Sequence, residues 1–270
     1  MALLLKNTVL INEGSRKETD VLIKNDIIYK IAPQISASNH KVIDLKGAFL
    51  LPGAIDDQVH FREPGLTHKG TIYSESAAAV AGGITSFMEM PNTKPAALTQ
   101  ALLREKFLIG RRDSLANFSF FMGVSNDNID EVLKTNFKKV PGVKIFMGSS
   151  TGNMLVDNFT TLNNIFSKIS GLISVHCEDE LIIKENMRKA KLQYGENVPI
   201  SQHPFIRSRQ ACFKSSSLAV ELARKYSSRL HVLHISTAQE LDLFNNDVEL
   251  QYKKITSEVC IHHLSFIDSD

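Results

Sequence analysis

An α/β fold built on a parallel sheet is predicted for this chain, and two patterns predict it. From about residue 52 onward, short strand-like runs alternate with amphipathic helical segments. The first fifty residues are instead all β-type runs separated by turn clusters. Regular strand–helix alternation favours parallel strands joined by right-handed crossovers. Seven strand-like runs follow the β unit, whereas a closed eight-stranded barrel occupies roughly 250 residues. The expectation is a TIM-like (β/α) barrel over residues 52–270 that lacks its last strand, preceded by a small N-terminal β unit over residues 1–51. The alternative is an open doubly wound sheet. Against it, no Gly-rich phosphate loop follows the first strand of the alternating region.

In the N-terminal unit, strands are predicted at 3–11, 19–23, 27–31 and 42–45. Asn12-Glu13-Gly14 and Lys24-Asn25-Asp26 supply turn residues between them, and Leu51-Pro52-Gly53 punctuates the end. In the alternating region, strands are predicted at 54–60, 84–90, 117–124, 142–148, 172–178, 230–236 and 255–264. Helices are predicted at 73–81, 99–112, 159–170, 178–191, 208–226 and 238–245.

Composition narrows the function class. At 270 residues and 43% hydrophobic content the chain buries a large core. Net charge is +2 with both signs dispersed, so no basic block points to nucleic acid or anionic lipid. Cys177, Cys212 and Cys260 are odd in number and irregular in spacing, which suggests a reducing, cytoplasmic compartment without a disulfide framework. No apolar run reaches the roughly 18 residues needed to span a bilayer. The expected partner is a small-molecule substrate, with a homodimer as a possible assembly.

Several polar residues stand where strands should be apolar. In Ile55-Asp56-Asp57-Gln58-Val59-His60-Phe61-Arg62 the even positions are all polar, and alternation sends them to one side. Such a row belongs at the C-terminal mouth of a barrel, where barrel active sites lie. The fourth strand carries Lys144 among apolar neighbours. A lone buried ammonium is costly. Either it reaches a carboxylate at the strand end, or its neutral amine captures carbon dioxide to become a carbamate, an anionic metal ligand. The fifth strand places His176 on the side of Ser174 and Glu178, and the sixth places His234 in register with Val232 and Ser236. One such histidine is most often structural. Three, His60, His176 and His234, delivered to one mouth suit zinc or a similar divalent metal.

Around these residues the chain resembles the amidohydrolase superfamily and, within it, the dihydroorotases. The resemblance rests on the first-strand stretch Leu51 to Gly65, on Ala81-Gly82-Gly83-Ile84-Thr85, on Met90-Pro91-Asn92-Thr93, on His176-Cys177-Glu178-Asp179 and on His234-Ile235-Ser236-Thr237. It implies one or two Zn2+ ions held by His60, Lys144 in carbamylated form, His176 and His234. It implies Arg62 and Asn92 as holders of a substrate carboxylate; a guanidinium also suits a planar carboxylate physically. The implied reaction is the reversible hydrolysis of (S)-dihydroorotate to N-carbamoyl-L-aspartate in de novo pyrimidine biosynthesis, by metal-activated hydroxide. The β unit resembles half of the family's composite β sandwich.

Two departures from the family pattern stand out. Gln58 occupies a usual His position, and a neutral amide oxygen is a weak zinc ligand beside imidazole. The family's catalytic Asp is expected beyond residue 270, so the chain reads as a fragment of a longer one. Alternatives are a degenerate, non-catalytic dihydroorotase homologue and a hydantoinase- or allantoinase-type cyclic amidase. Arg62 argues against the second, because those substrates lack the carboxylate; its bland role is a salt bridge to Glu63 or Asp57. The bland role of Asn92 is a turn residue after Pro91. The other histidines, His262-His263 at the seventh-strand mouth among them, read mostly as structural or surface groups.

Overall fold

The computed structural model describes residues 2–148 and 153–267, which fall into two compact units, Met1–Ala54 and Ile55–Asp270. In the first, β1 (Leu3–Asn12) pairs antiparallel with β2 (Ser15–Lys24), and β2 with β3 (Ile27–Ala32). β4 (Lys41–Asp44) and β5 (Phe49–Leu50) add to β1 in parallel. Both hairpins turn on two residues of positive φ, Glu13-Gly14 and Asn25-Asp26. Left-handed backbone at both positions matches the twist of the flanking strands. Leu4, Leu22 and Ile35 form the small core. Asp20, buried beside it, accepts from the backbone N–H groups of Asn7 and Ile35.

The second unit is α/β with parallel strands. β6 (Ala54–Val59), β7 (Ile84–Glu89) and β8 (Asn117–Phe120) form one sheet. β9 (Met122–Gly123), β10 (Val143–Phe146), β11 (Leu172–His176), β12 (Arg229–Val232) and β13 (Ile255–Ser257) form another, in sequence order. The third predicted strand is therefore split. At the break, Phe121 N still donates to Glu89 O, while Met122 N turns to Gly142 O.

The helices are α1 (Ile72–Ala81), α2 (Gln100–Asp113), α3 (Ile129–Val132), α4 (Phe159–Lys168), α5 (Glu180–Tyr194), α6 (His203–Ile206), α7 (Arg209–Tyr226) and α8 (Ile261–Ser265). Thr71, Thr99, Asn158, Asp179 and Ser208 cap the five longest, each accepting a backbone N–H of the first turn. Short polar side chains at those positions satisfy donors that have no intrahelical partner. The core gathers the outward residues of the strands, such as Val143, Ile145, Ile173, Val175 and Val232, against Leu162, Phe166, Ala219 and Leu222 of the helices.

Two expected elements differ. The strand predicted over 255–264 ends at Ser257, and 261–265 coil into α8. Its apolar run has no Gly or Pro to mark a boundary, so pattern alone overextends it. The helix predicted at 238–245 is a 3-10 turn, Ala238–Leu243. No described helix is long and apolar enough to cross a membrane.

Candidate metal centre

Parallel strands deliver their polar residues to their C-terminal ends. His60 directly follows β6, Asn92 follows β7, Lys144 lies within β10, His176 closes β11, and His234 follows β12. Gln58, His60, His176 and His234 line one cavity of about 460 Å³. Lys144 is buried, 1% exposed, and its charge acts on all three histidines. Of these residues His176 and His234 come within ligand distance of each other, at 3.1 Å, whereas among the described residues no group of three histidine, cysteine or carboxylate ligand atoms within 4.8 Å of one another includes His60, His176 or His234.

They arrive by different routes. Lys144 pairs in register with Ser174, and Ser174 with His231, so these three share one face. His176, two residues beyond Ser174, stays on that face. Val175 and Val232 pair on the opposite face, within the apolar core. The expected register of His234 with Val232 would carry its ring away from His176. Instead β12 ends at Val232, and His234 adopts φ 40°, which returns the ring to the cavity. Positive φ is costly for a residue with a Cβ and persists where the surroundings hold it.

Burial sets the protonation states. It pushes His60 down to about 3, aided by the nearby charges of Arg62 and Lys144. It pushes His234 to about 3 as well, with Lys144 and His176 adding to the effect. His176 is lowered by the same cause. All three are neutral imidazoles at pH 7. Burial brings the Lys144 amine down to about 7, and among the described residues no carboxylate forms an ion pair with it. Of the two roles the sequence allowed Lys144, the carboxylate partner is not found; Phe146 lies under its Nζ at 4.6 Å.

The orientation of His176 is fixed from behind. A carboxylate oxygen only accepts, so His176 Nε2–H donates to Glu178 Oε2 at 2.8 Å and the proton stays on that nitrogen. Nδ1 is left with its lone pair, 3.1 Å from His234 Nε2. Glu178 is itself clamped by Arg207, through Nε to Oε1 at 2.7 Å and through Nη2 to Oε2. Burial alone would raise the Glu178 carboxyl, but its bonds to His176 and Arg207 outweigh that and hold it near 2. A carboxylate behind a histidine is the usual support of a metal-binding imidazole.

The His176–His234 pair fits a divalent cation. Two nitrogens bound to one tetrahedral zinc at about 2.0–2.1 Å stand about 3.3 Å apart, close to the separation observed here. His60 Nδ1 is buried with no hydrogen-bond partner, and so is Asn92 Oδ1 nearby. Gln58 Oε1 accepts a long contact from the Cys260 thiol at 3.9 Å.

Arg62 sits past the strand at φ 74°, with its N–H donating to Glu89 Oε1 at 3.0 Å. Neither bland partner engages it: Glu63 accepts from Ile72 N, and Asp57 approaches His231. Behind it Glu89 and Lys106 form a fully buried ion pair at 2.7 Å. Sequence reading missed this pair and the Glu178–Arg207 clamp. The only available signal was Lys106 on the buried side of an otherwise amphipathic α2.

The dihydro-orotase-like family model matches residues 47–186, slightly more than half of the sequence. The chain belongs to that family. It is 33% identical to the dihydroorotase of Methanosphaera stadtmanae over 99% of its own length and 60% of the relative's. It is 32% identical to that of Pyrococcus abyssi over 100% of its length and 59% of the relative's. The chain thus spans about 60% of the length of these curated relatives. Among solved structures it superposes on the L-hydantoinase (dihydropyrimidinase) of Arthrobacter aurescens with a TM-score of 0.80 and 27% identity, over 89% of this chain and 54% of that one. A D-hydantoinase superposes with a TM-score of 0.85 over the whole chain and 59% of its own length, at 22% identity, which speaks for the fold alone.

Proposed function

We propose that this chain carries the metal-binding half of a dihydroorotase, which hydrolyses (S)-dihydroorotate reversibly to N-carbamoyl-L-aspartate. The observation that carries the reading is the lining of one cavity by His60, His176 and His234, each held neutral by burial, in a dihydroorotase-like chain. Its strands β6 to β13, with β8 and β9 counted as one split strand, are read as the first seven staves of a (β/α) barrel, and residues 1–51 as part of a composite β sandwich.

His60, Lys144, His176 and His234 would hold one or two zinc ions. Bound there, the metal would polarise the ring amide and lower the pKa of water. The chain's own residues prepare that chemistry. Burial keeps the imidazoles unprotonated, so their lone pairs are free. A Lys144 amine that titrates near neutrality has a large uncharged fraction at pH 7 to 8. Attack of the neutral amine on carbon dioxide forms an N–C bond as one C=O π bond opens onto oxygen, and loss of one N–H proton to solvent turns the neutral amine into a carbamate anion. Glu178, held by Arg207, keeps the proton on His176 Nε2 and aims the opposite nitrogen at the cavity.

Arg62 and Asn92 are assigned to the substrate carboxylate. Both stand within electrostatic reach of His60. A guanidinium with no competing ion pair among the described residues is suited to a planar carboxylate.

The deciding experiment is dihydroorotate hydrolysis by the full-length protein, together with its zinc content. Turnover that is lost with the metal and restored by zinc supports the reading; a zinc-loaded protein without turnover rejects it. Arg62→Met separates dihydroorotase from hydantoinase chemistry. It should raise KM for dihydroorotate at least tenfold and leave any hydantoin hydrolysis unchanged.

A further inference from the structure

Beyond that reading, we propose a second, separate metal site in the same cavity, formed by Cys260, His262 and His263 and selective for zinc-like divalent ions. One ligand atom from each of these residues lies within 4.8 Å of the others. All three line the cavity that holds His60, His176 and His234. They follow β13, which places them at the C-terminal end of the sheet with the first group.

The chemistry of the set is specific. One thiol and two imidazoles are borderline-soft donors, and that combination favours zinc over magnesium or calcium. Ligand atoms around one zinc are about 3.3–3.7 Å apart. An inward rotation of about 1 Å by side chains on a short surface helix closes the present spacing. Among the described residues His263 Nδ1 is buried with no hydrogen-bond partner. The two rings stand edge to face at 4.3 Å, near enough to bind one ion together. Glu258, Asp56 and Asp57 all bear on the Cys260 thiol, so the local field is negative and attracts a cation. On binding, the thiol gives its proton to solvent and the sulfur takes its place as a thiolate ligand.

Three protein ligands leave a fourth position open, the pattern of zinc sites that hold an exchangeable ligand. Gln58 Oε1, 3.9 Å from Cys260 Sγ, is the nearest candidate to fill it. On this view Gln58 belongs to the seventh-strand side of the cavity, as a neutral fourth ligand, and not to the ion held by His60.

Cobalt(II) is the probe. Added to the metal-stripped full chain, it should give a near-ultraviolet thiolate-to-cobalt charge-transfer band, because only the second site contains sulfur. Cys260→Ser should abolish the band and lower zinc content by one ion per chain. Cys177→Ser and Cys212→Ser should keep it. His262→Ala/His263→Ala should weaken cobalt binding at least a hundredfold. His176→Ala should remove the other ion and leave the band, so the two proposals fail independently. X-ray absorption on the unmutated zinc protein provides a check that needs no variant: a sulfur neighbour near 2.3 Å is expected. A band that survives in Cys260→Ser, or no band and no sulfur neighbour in the unmutated chain, overturns the site.

Discussion

Exchanging Glu89 for Gln removes the counter-charge of an ammonium that has no access to water. Lys106 and Glu89 are 2% and 1% exposed, with Nζ and Oε2 2.7 Å apart. Burial pushes the carboxyl up and the ammonium down, so each charge is costly there and tolerable only beside the other. Breaking such a pair from one side costs about 3–5 kcal/mol. Two retained contacts favour the lower end: Lys106 Nζ keeps Met90 O at 2.8 Å, and a Gln oxygen can still accept from Arg62 N. A loss of about 3 kcal/mol is expected, which lowers Tm by roughly 6–12 °C in a domain of this size. Lys106→Met should cost a similar amount, since it strands the carboxylate. The double variant Glu89→Gln/Lys106→Met removes both charges and should cost clearly less than the sum, with a coupling of about 2 kcal/mol or more. Urea unfolding of the four proteins at pH 7 measures the cycle. Strict additivity, or single losses under about 1 kcal/mol, would refute the claim that this pair is mutually dependent. A functional readout accompanies it. Glu89 also holds Arg62 at positive φ, so Glu89→Leu should raise KM for a carboxylate-bearing substrate more than Lys106→Met does.

Further outcomes are expected elsewhere in the site. Lys144→Met should abolish metal binding at the site of His60, His176 and His234 yet stabilise the metal-free, carbon-dioxide-free chain, because it removes a buried charge. The sign follows from linkage: the amine titrates near 7 when folded and near 10.4 when unfolded, so its cost is complete below about pH 7 and fades as pH rises toward 10. The advantage of Lys144→Met in urea should therefore shrink over that window. Gly148→Ala should cost about 1–3 kcal/mol, since a Cβ there would stand 2.1 Å from the backbone oxygen of Glu178; thermal unfolding and zinc content should both fall. Arg207→Met should lower zinc affinity tenfold or more by freeing Glu178 from behind His176, in a competition titration with a chromophoric chelator.

Much of this was legible in the sequence, for identifiable reasons. Strand–helix alternation carries a strong local signal, and the strands around Lys144 and His176 fall where the pattern puts them. Period-two reasoning found Lys144 and His176 because both lie inside regular strands. It gave His234 the wrong neighbours because a single left-handed residue after β12 resets the alternation, and no Gly or Asn announces it. The break at Phe121 escaped for a related reason: the strand changes its hydrogen-bonding partner without any change in residue type. The supporting ion pairs were invisible because they are not local. Arg207 reaches Glu178 across 29 residues, and Lys106 reaches Glu89 from a neighbouring helix. No periodicity encodes such a meeting; only the packed chain does.

One physical theme joins the candidate ligands. Each is a base whose charged form has been made unfavourable by burial: His60 and His234 near 3, Lys144 near 7. In an ordinary core such groups would be replaced by apolar ones, because their desolvation weakens the fold. Here several are concentrated at the C-terminal ends of two parallel sheets, and His60, His176 and His234 line a common space. A cation entering that space meets uncharged imidazoles, and at His234 only the tautomer has to change for Nε2 to present its lone pair. The strain at His234 and the clamp on Glu178 belong to the same arrangement, since both fix the direction of a lone pair and do little for packing. Stability given up at residues 60, 144, 176 and 234 is therefore the expected signature of a preformed cation site. A chain selected for folding alone would place valine or leucine at those positions.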